Sequence, residues 1–194
     1  FALSAEDADS VLNVAQAKGL RVASAPDTFL GGGLQTCRKL IDDGAIGIPY
    51  AASGLVLMRG PYDTSRRNFQ SYLQRGWDPL FDMAPYYLTA FVNLLGAVRK
   101  VTGFATNVRS SITVDNPESP LHGSTVPVTA PLNTAATLEF ASGAIATLQA
   151  AKESFGYTPR LEIYGTEGIL YANDPNMFGG TIQIKRPDGT LSDV

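Results

Sequence analysis

Apolar residues open the chain with a helical period. Ser4 reads as an N-cap ahead of Ala5, Ala8, Val11, Leu12 and Ala15, one amphipathic face that ends at Gly19. Residues 21–25 read as a short apolar strand, and a helix leading into a strand is half of a βαβ unit. A second helix is expected over 28–43, with Leu34, Cys37, Leu40 and Ile41 on one face. Beyond Pro49 the period shortens toward two. Strands are expected at 50–59, 98–113, 133–140, 144–151, 160–164, 169–172 and 181–185, several joined by glycine turns. Loops fill 60–77, which is polar, aromatic and arginine-bearing, and 113–131, which is rich in Pro, Ser and Asn. The pattern predicts an α+β fold: an open, largely antiparallel sheet of six or seven strands with helices on one face.

One helix departs from ordinary amphipathic patterning. Residues 78–96 read DPLFDMAPYYLTAFVNLLG, from an Asp78 N-cap and a first-turn Pro79 to a terminating Gly96. Nearly every side is apolar, so the helix should be buried, yet Asp82, Tyr86, Thr89 and Asn93 form a single polar stripe. Carboxylates are rarely interred without a partner or a task. Pro85 also removes the hydrogen bond to the Phe81 carbonyl and kinks the helix beside Asp82. The stripe reads as a pocket floor. The competing explanation is an aspartate that serves the helix dipole, with Tyr86 satisfied locally.

The sheet carries a second signal. Thr134, Ala136 and Leu138 alternate with Ala135, Thr137 and Glu139, and Ala144, Ala146 and Leu148 alternate with Ile145, Thr147 and Gln149. Both sets are small, apolar or threonine-like, so the face away from the helices is expected to meet a second copy of the chain, against the alternative of a bland surface.

Composition narrows the function classes. A chain of 194 residues with 44% hydrophobic and 17% charged residues suits one ample domain, or one domain plus a piece of another. A net charge of −3 gives no electrostatic case for nucleic acid. No apolar run approaches the roughly 20 residues that span a bilayer, and no membrane association is expected. The one cysteine, Cys37, suits the cytoplasm, and one Cys with one His makes a zinc site untenable, so no metal is expected.

Other features are weaker. Gly31-Gly32-Gly33 precedes a helix as a dinucleotide fingerprint would, but Thr36 stands where its third glycine belongs, so no cofactor-binding residue is assigned in this chain. His122 reads as a solvated loop residue. Arg66 and Arg67 could grip an anionic or hydroxylated ligand or simply be solvated, and Trp77 could wall a sugar ring or lid the helix start.

The segments PDTFLGGGLQTCRKLIDDGAIGIP, PLFDMAPYYLTAFVNLLG and RLEIYGTEGILY resemble, in order, the Gfo/Idh/MocA family of glucose–fructose oxidoreductase and inositol dehydrogenase. That resemblance implies a two-domain enzyme. An N-terminal Rossmann domain would hold NAD or NADP, and a C-terminal dihydrodipicolinate-reductase-like domain would bind substrate and form homodimers or homotetramers. Residues 1–26 would be the trailing helix and strand of that Rossmann domain, and 27–194 the substrate-binding and oligomerisation domain. The family's Rossmann fingerprint and Glu-Lys-Pro motif are not in this sequence, which therefore resembles an internal fragment. The family's helix motif is approximately D-x-G-x-H: Asp82 matches the Asp, Ala84 replaces the Gly and Tyr86 replaces the His. A phenol, with a pKa of about 10, is a poorer base near neutrality than imidazole but donates a proton or holds a hydroxyl. The implied function is the substrate-binding part of an NAD(P)-dependent oxidoreductase acting on a sugar, polyol or related hydroxylated molecule by hydride transfer. Asp82 and Tyr86 would be the catalytic pair, and Arg67, Trp77 and Asn93 would hold substrate. A non-catalytic oligomerisation or ligand-sensing module is the competing reading.

Overall fold

A computed structural model describes residues 2–60, 69–74 and 76–194. Helix α1 (Ala5–Ala17) begins where expected, with the Ser4 hydroxyl oxygen accepting from the Asp7 N–H at 3.1 Å. Residues 21–25 do not form a strand: no neighbouring strand among the described residues offers them a ladder, and an unpaired strand has nothing to hold it. The helix expected over 28–43 is interrupted. A single 3-10 turn (Thr28–Leu30) is followed by an extended Gly31 (φ −72°, ψ 161°) and then α2 (Gly32–Asp42).

Strand β1 (Pro49–Arg59) leads to a short 3-10 turn (Phe69–Leu73) and then to the apolar helix, which is split in two. α3 (Pro79–Asp82) is a single turn, Met83 leaves helical geometry (φ −112°, ψ −34°), and α4 (Ala84–Leu95) starts afresh. Pro85 explains the break: it lacks the N–H a continuous helix needs there but suits the first turn of a new one. Arg38 of α2 closes the far end of α4, its guanidinium donating to the carbonyls of Asn93 (3.1 Å) and Leu94 (2.7 Å) before Gly96 (φ 92°) ends the helix.

Eight strands remain or recur in the main sheet: β1 with β2 (Val98–Thr106), β5 (Asn133–Phe140), β6 (Ile145–Ser154), β7 (Thr158–Gly165), β8 (Gly168–Ala172), β9 (Gln183–Lys185) and β10 (Leu191–Asp193). Their order is β10-β9-β8-β7-β1-β6-β5-β2, antiparallel except for the central β1–β6 pair. The strand expected over 98–113 stops at Thr106 and resumes as β3 (Ser111–Thr113), which pairs with β4 (Thr125–Pro127) in a separate ribbon over Leu73, Val114 and Leu132. β4 and β10 are three residues each, too short to carry a legible period.

The helices cover one face of the main sheet. Leu34 and Cys37 of α2 and Tyr87, Phe91 and Leu94 of α4 pack on Val56, Ala146, Leu148, Leu161 and Ile163, all buried. Each large side chain buried there contributes about 1.5–3 kcal/mol. The register separates the two faces: Ser53, Thr147, Thr137 and Thr102 form one row of the open face, and Leu55, Gln149, Ala135 and Phe104 the next. Phe104 is 80% exposed there. Ala146 and Leu148, read from sequence as one of two semi-apolar faces, belong to the core.

Candidate functional site

The site is built at the turn into α3. Asp78 is 2% exposed, and its carboxylate accepts three backbone N–H groups: Gly76 (3.0 Å), Leu80 (3.1 Å) and Phe81 (3.3 Å). This aspartate is spent on capping, which locks the turn at 76–78 to the helix it opens. Asp82, one turn on, is not so occupied. Together with Tyr86, Phe81, Pro85, Gly76 and Leu3 it lines a cleft of about 120 Å³. Asp82 and Tyr86 thus share one opening despite the helix break between them.

The carboxylate of Asp82 has a cationic partner that sequence reasoning missed. Lys152 of β6 places its Nζ 3.2 Å from Asp82 Oδ2 and 2.6 Å from the Trp77 carbonyl oxygen. The Lys152 side chain is 7% exposed and that of Asp82 28%. A signal was available: Ala146, Leu148, Ala150 and Lys152 share the core parity of β6, and ending the strand at residue 151 drops its last member. One residue on, Glu153 pairs with Arg109 (3.4 Å).

The remaining candidates are dispersed. Trp77 is 47% exposed and contributes its carbonyl to Lys152, but its ring is not among the side chains lining the cleft. Asn93 sits at the far end of α4, where its carbonyl meets Arg38, away from the cleft lining. Thr89 turns its hydroxyl back onto the Pro85 carbonyl at 2.7 Å. Of the four-residue stripe, two members reach the cleft. Arg67, with Arg66, lies outside the described residues. His122 is exposed in its loop.

Larger depressions exist elsewhere: those of about 460 Å³ on the open sheet face and about 480 Å³ beside α4 have no ionisable lining residue, and one of about 450 Å³ beside β2 has Lys100 and Glu139, which are paired with each other at the surface (3.6 Å). Proton transfer needs such a group, so the small cleft is the better chemical candidate. It is well below the roughly 300 Å³ at which ligand sites begin, too small to enclose a ligand of that class by itself.

The glycine triplet is not part of it. Gly33 donates its N–H to the Phe178 carbonyl at 3.0 Å. A Cβ on Gly31 would lie 2.3 Å from that carbonyl oxygen, and one on Gly33 2.2 Å from Asn173 Oδ1. Asn173 is itself buried and donates to the carbonyls of Asp174 and Met177. The start of α2 is filled by the 173–178 loop, and a pyrophosphate does not fit there. Cys37, fully buried behind it, has its thiol pKa pushed up to about 12 by loss of solvent, which leaves it inert as a nucleophile. Among the described residues no three His, Cys, Asp or Glu side chains converge to hold a metal ion, and no helix is long and apolar enough to cross a membrane.

Comparison with known proteins gives a consistent picture. The family model described as GFO/IDH/MocA C-terminal domain matches residues 34–171. An NAD binding oxidoreductase from Klebsiella pneumoniae superposes with a TM-score of 0.77 at 21% identity, over 100% of this chain and 51% of that one. The WlbA dehydrogenase from Bordetella pertussis, solved with NADH and UDP-GlcNAcA, gives 0.70 at 16% identity, over 96% and 53% of the two chains. Levoglucosan dehydrogenase with NADH and L-sorbose gives 0.65 at 20% identity, over 81% and 43%. The chain therefore spans about half the length of these solved structures, and at such identities they speak for the fold. No curated protein matches the chain by sequence.

Proposed function

The chain belongs to the GFO/IDH/MocA family, and on that premise we propose that it is the substrate-binding and oligomerisation part of an NAD(P)-dependent oxidoreductase for a sugar, polyol or related hydroxylated molecule. The observation that carries this reading is the joint presence of Asp82 and Tyr86 on one cleft, with Asp82 backed by a buried ammonium. Levoglucosan dehydrogenase and WlbA, with their sugar and sugar-nucleotide ligands, support the substrate class. NAD or NADP, when bound to the intact enzyme, exchanges the hydride. The filled start of α2 argues that the pyrophosphate is held outside this chain. Residues 1–26 are proposed as the trailing edge of the cofactor domain, which accounts for the exposed Val11, Leu12 and Val14 on α1.

In this reading the Asp82 carboxylate accepts a hydrogen bond from the reacting hydroxyl and orients it. Tyr86 donates a hydrogen bond to the same oxygen, or passes the proton that oxygen releases through its phenol to solvent at the cleft mouth. Phe81 and Pro85 exclude water from the cleft floor, and Arg67 and Trp77 stay proposed as substrate contacts on the family resemblance alone. Asn93 is given up as a contact, since it stands apart from the cleft. The test is turnover by the intact enzyme with NAD across sugars and polyols. Asp82→Asn should lower kcat/KM by about 100-fold or more. Normal turnover in that variant would move the pocket elsewhere. A tyrosine where the family's motif has histidine favours one second reading, a member that binds its ligand without reacting, and calorimetric binding without turnover would establish it.

The partner proposed for the open sheet face is a second copy of the chain, giving a homodimer or homotetramer in the cytoplasm. The apolar side chains of Phe104, Ile145 and Leu55 on a threonine-rich surface support it. Sedimentation at micromolar concentration should show a dimer or larger, and Thr147→Lys should shift it toward monomer. A monomeric wild type would sink this part of the proposal.

A further inference from the structure

We propose that Lys152 is a positioning residue that sets the two walls of the cleft against one another, an inference that rests on the substrate-pocket reading above. A lysine so nearly enclosed is costly, and its ammonium must spend its donors within the protein. Two go to acceptors on two different pieces of backbone: the Trp77 carbonyl oxygen at 2.6 Å and Asp82 Oδ2 at 3.2 Å. Those pieces are the ones that shape the cleft, because Gly76 of the turn and Asp82 of α3 both line it. Lys152 does not line it, so it acts through them.

The need for such a brace follows from the local fold. α3 is four residues long and ends at Met83 in a break, so no extended helix fixes the direction of Asp82. β6 is paired on both sides, with β1 and β5, up to Ala151, and the Lys152 N–H itself donates to the Leu132 carbonyl at 2.8 Å, so the lysine stem leaves a backbone that is tied down. Neutralising Asp82 alone would not require burial, since that carboxylate is 28% exposed and a surface lysine would serve. Drawing the ammonium inward to reach the Trp77 carbonyl is what a surface lysine could not do. Asp78 ties the turn to α3 locally, and Lys152 anchors both the turn and the Asp82 carboxylate to the sheet through a single side chain.

Trp77 is the one tryptophan of the chain and reports this directly. Lys152→Met keeps the length of the stem and removes the donors. In a folded variant, judged by unchanged far-UV circular dichroism, Trp77 fluorescence anisotropy should fall, and Lys152→Arg should restore part of it. Asp82→Asn should lower the anisotropy less than Lys152→Met, and the double variant should match Lys152→Met alone, because the two changes break one linkage. A folded Lys152→Met with unaltered Trp77 anisotropy, or additive effects in the double variant, would overturn the inference. Should Lys152→Met fail to fold, Asp82→Asn decides: a fall in anisotropy supports the brace and no change refutes it. No substrate enters these measurements, so a failure of sugar turnover would remove the proposed function and leave this result standing.

Discussion

Two helix starts in this protein each carry a local sequence signal, and the structure puts them to different uses. Gly31-Gly32-Gly33 at α2 has the look of an anion cradle, while Asp78-Pro79 at α3 has the look of routine capping. At α2 the space the glycines leave is taken by Phe178 and Asn173, so the missing side chains serve close packing. At α3 the Asp78 carboxylate gathers three N–H groups and fixes the turn that, one helical turn on, presents Asp82 to a cleft. Small residues at a helix start admit either a ligand or a neighbouring loop, and the sequence alone does not say which. A buried charge is more informative, because it must be answered by something specific.

The sharpest break of this contrast is Gly31→Ala. With a backbone carbonyl 2.3 Å from the new Cβ, neither side can yield cheaply, and a loss of about 3 kcal/mol is expected in urea unfolding. An open cradle would tolerate the same methyl with no loss. Asp78→Ala comes next, at about 2 kcal/mol, the upper end for a cap, since three donors lose their acceptor in a buried turn. A negligible cost there would mean that water reaches the turn. The smallest effect is Gly32→Ala, where the new Cβ meets nothing within 4 Å on a helical residue. It should gain about 0.5–1 kcal/mol, so that adjacent glycines of one triplet shift stability in opposite directions.

Much of the fold was legible because it is written in long periods. The Ser4 cap, the span Asn133–Phe140 and the antiparallel character of the sheet follow from alternation and turn residues alone. What escaped has physical causes. β4 and β10 are held by pairing rather than by pattern, and residues 21–25 have strand-like composition but no described neighbour to pair with. The Pro85 break was visible in outline, though a full interruption at Met83 exceeds the kink expected of it. The site was legible in half: Asp82 and Tyr86 meet at the cleft, whereas the same stripe sent Thr89 to its own helix and Asn93 to the far end. Lys152 stands 70 residues from Asp82 in the chain, and only the sheet brings them together.

The proposed activity depends on the chemistry of that cleft, and Tyr86→Phe tests it with the least disturbance. The change removes one hydroxyl and keeps the ring that packs on the core. The measurement is kcat/KM of the intact enzyme with NAD and its best sugar or polyol, set beside the urea midpoint of the same preparation. A fall of about 100-fold, with stability held within about 0.5 kcal/mol, is the predicted result. Unchanged turnover at unchanged stability would contradict it and take Tyr86 out of the reaction.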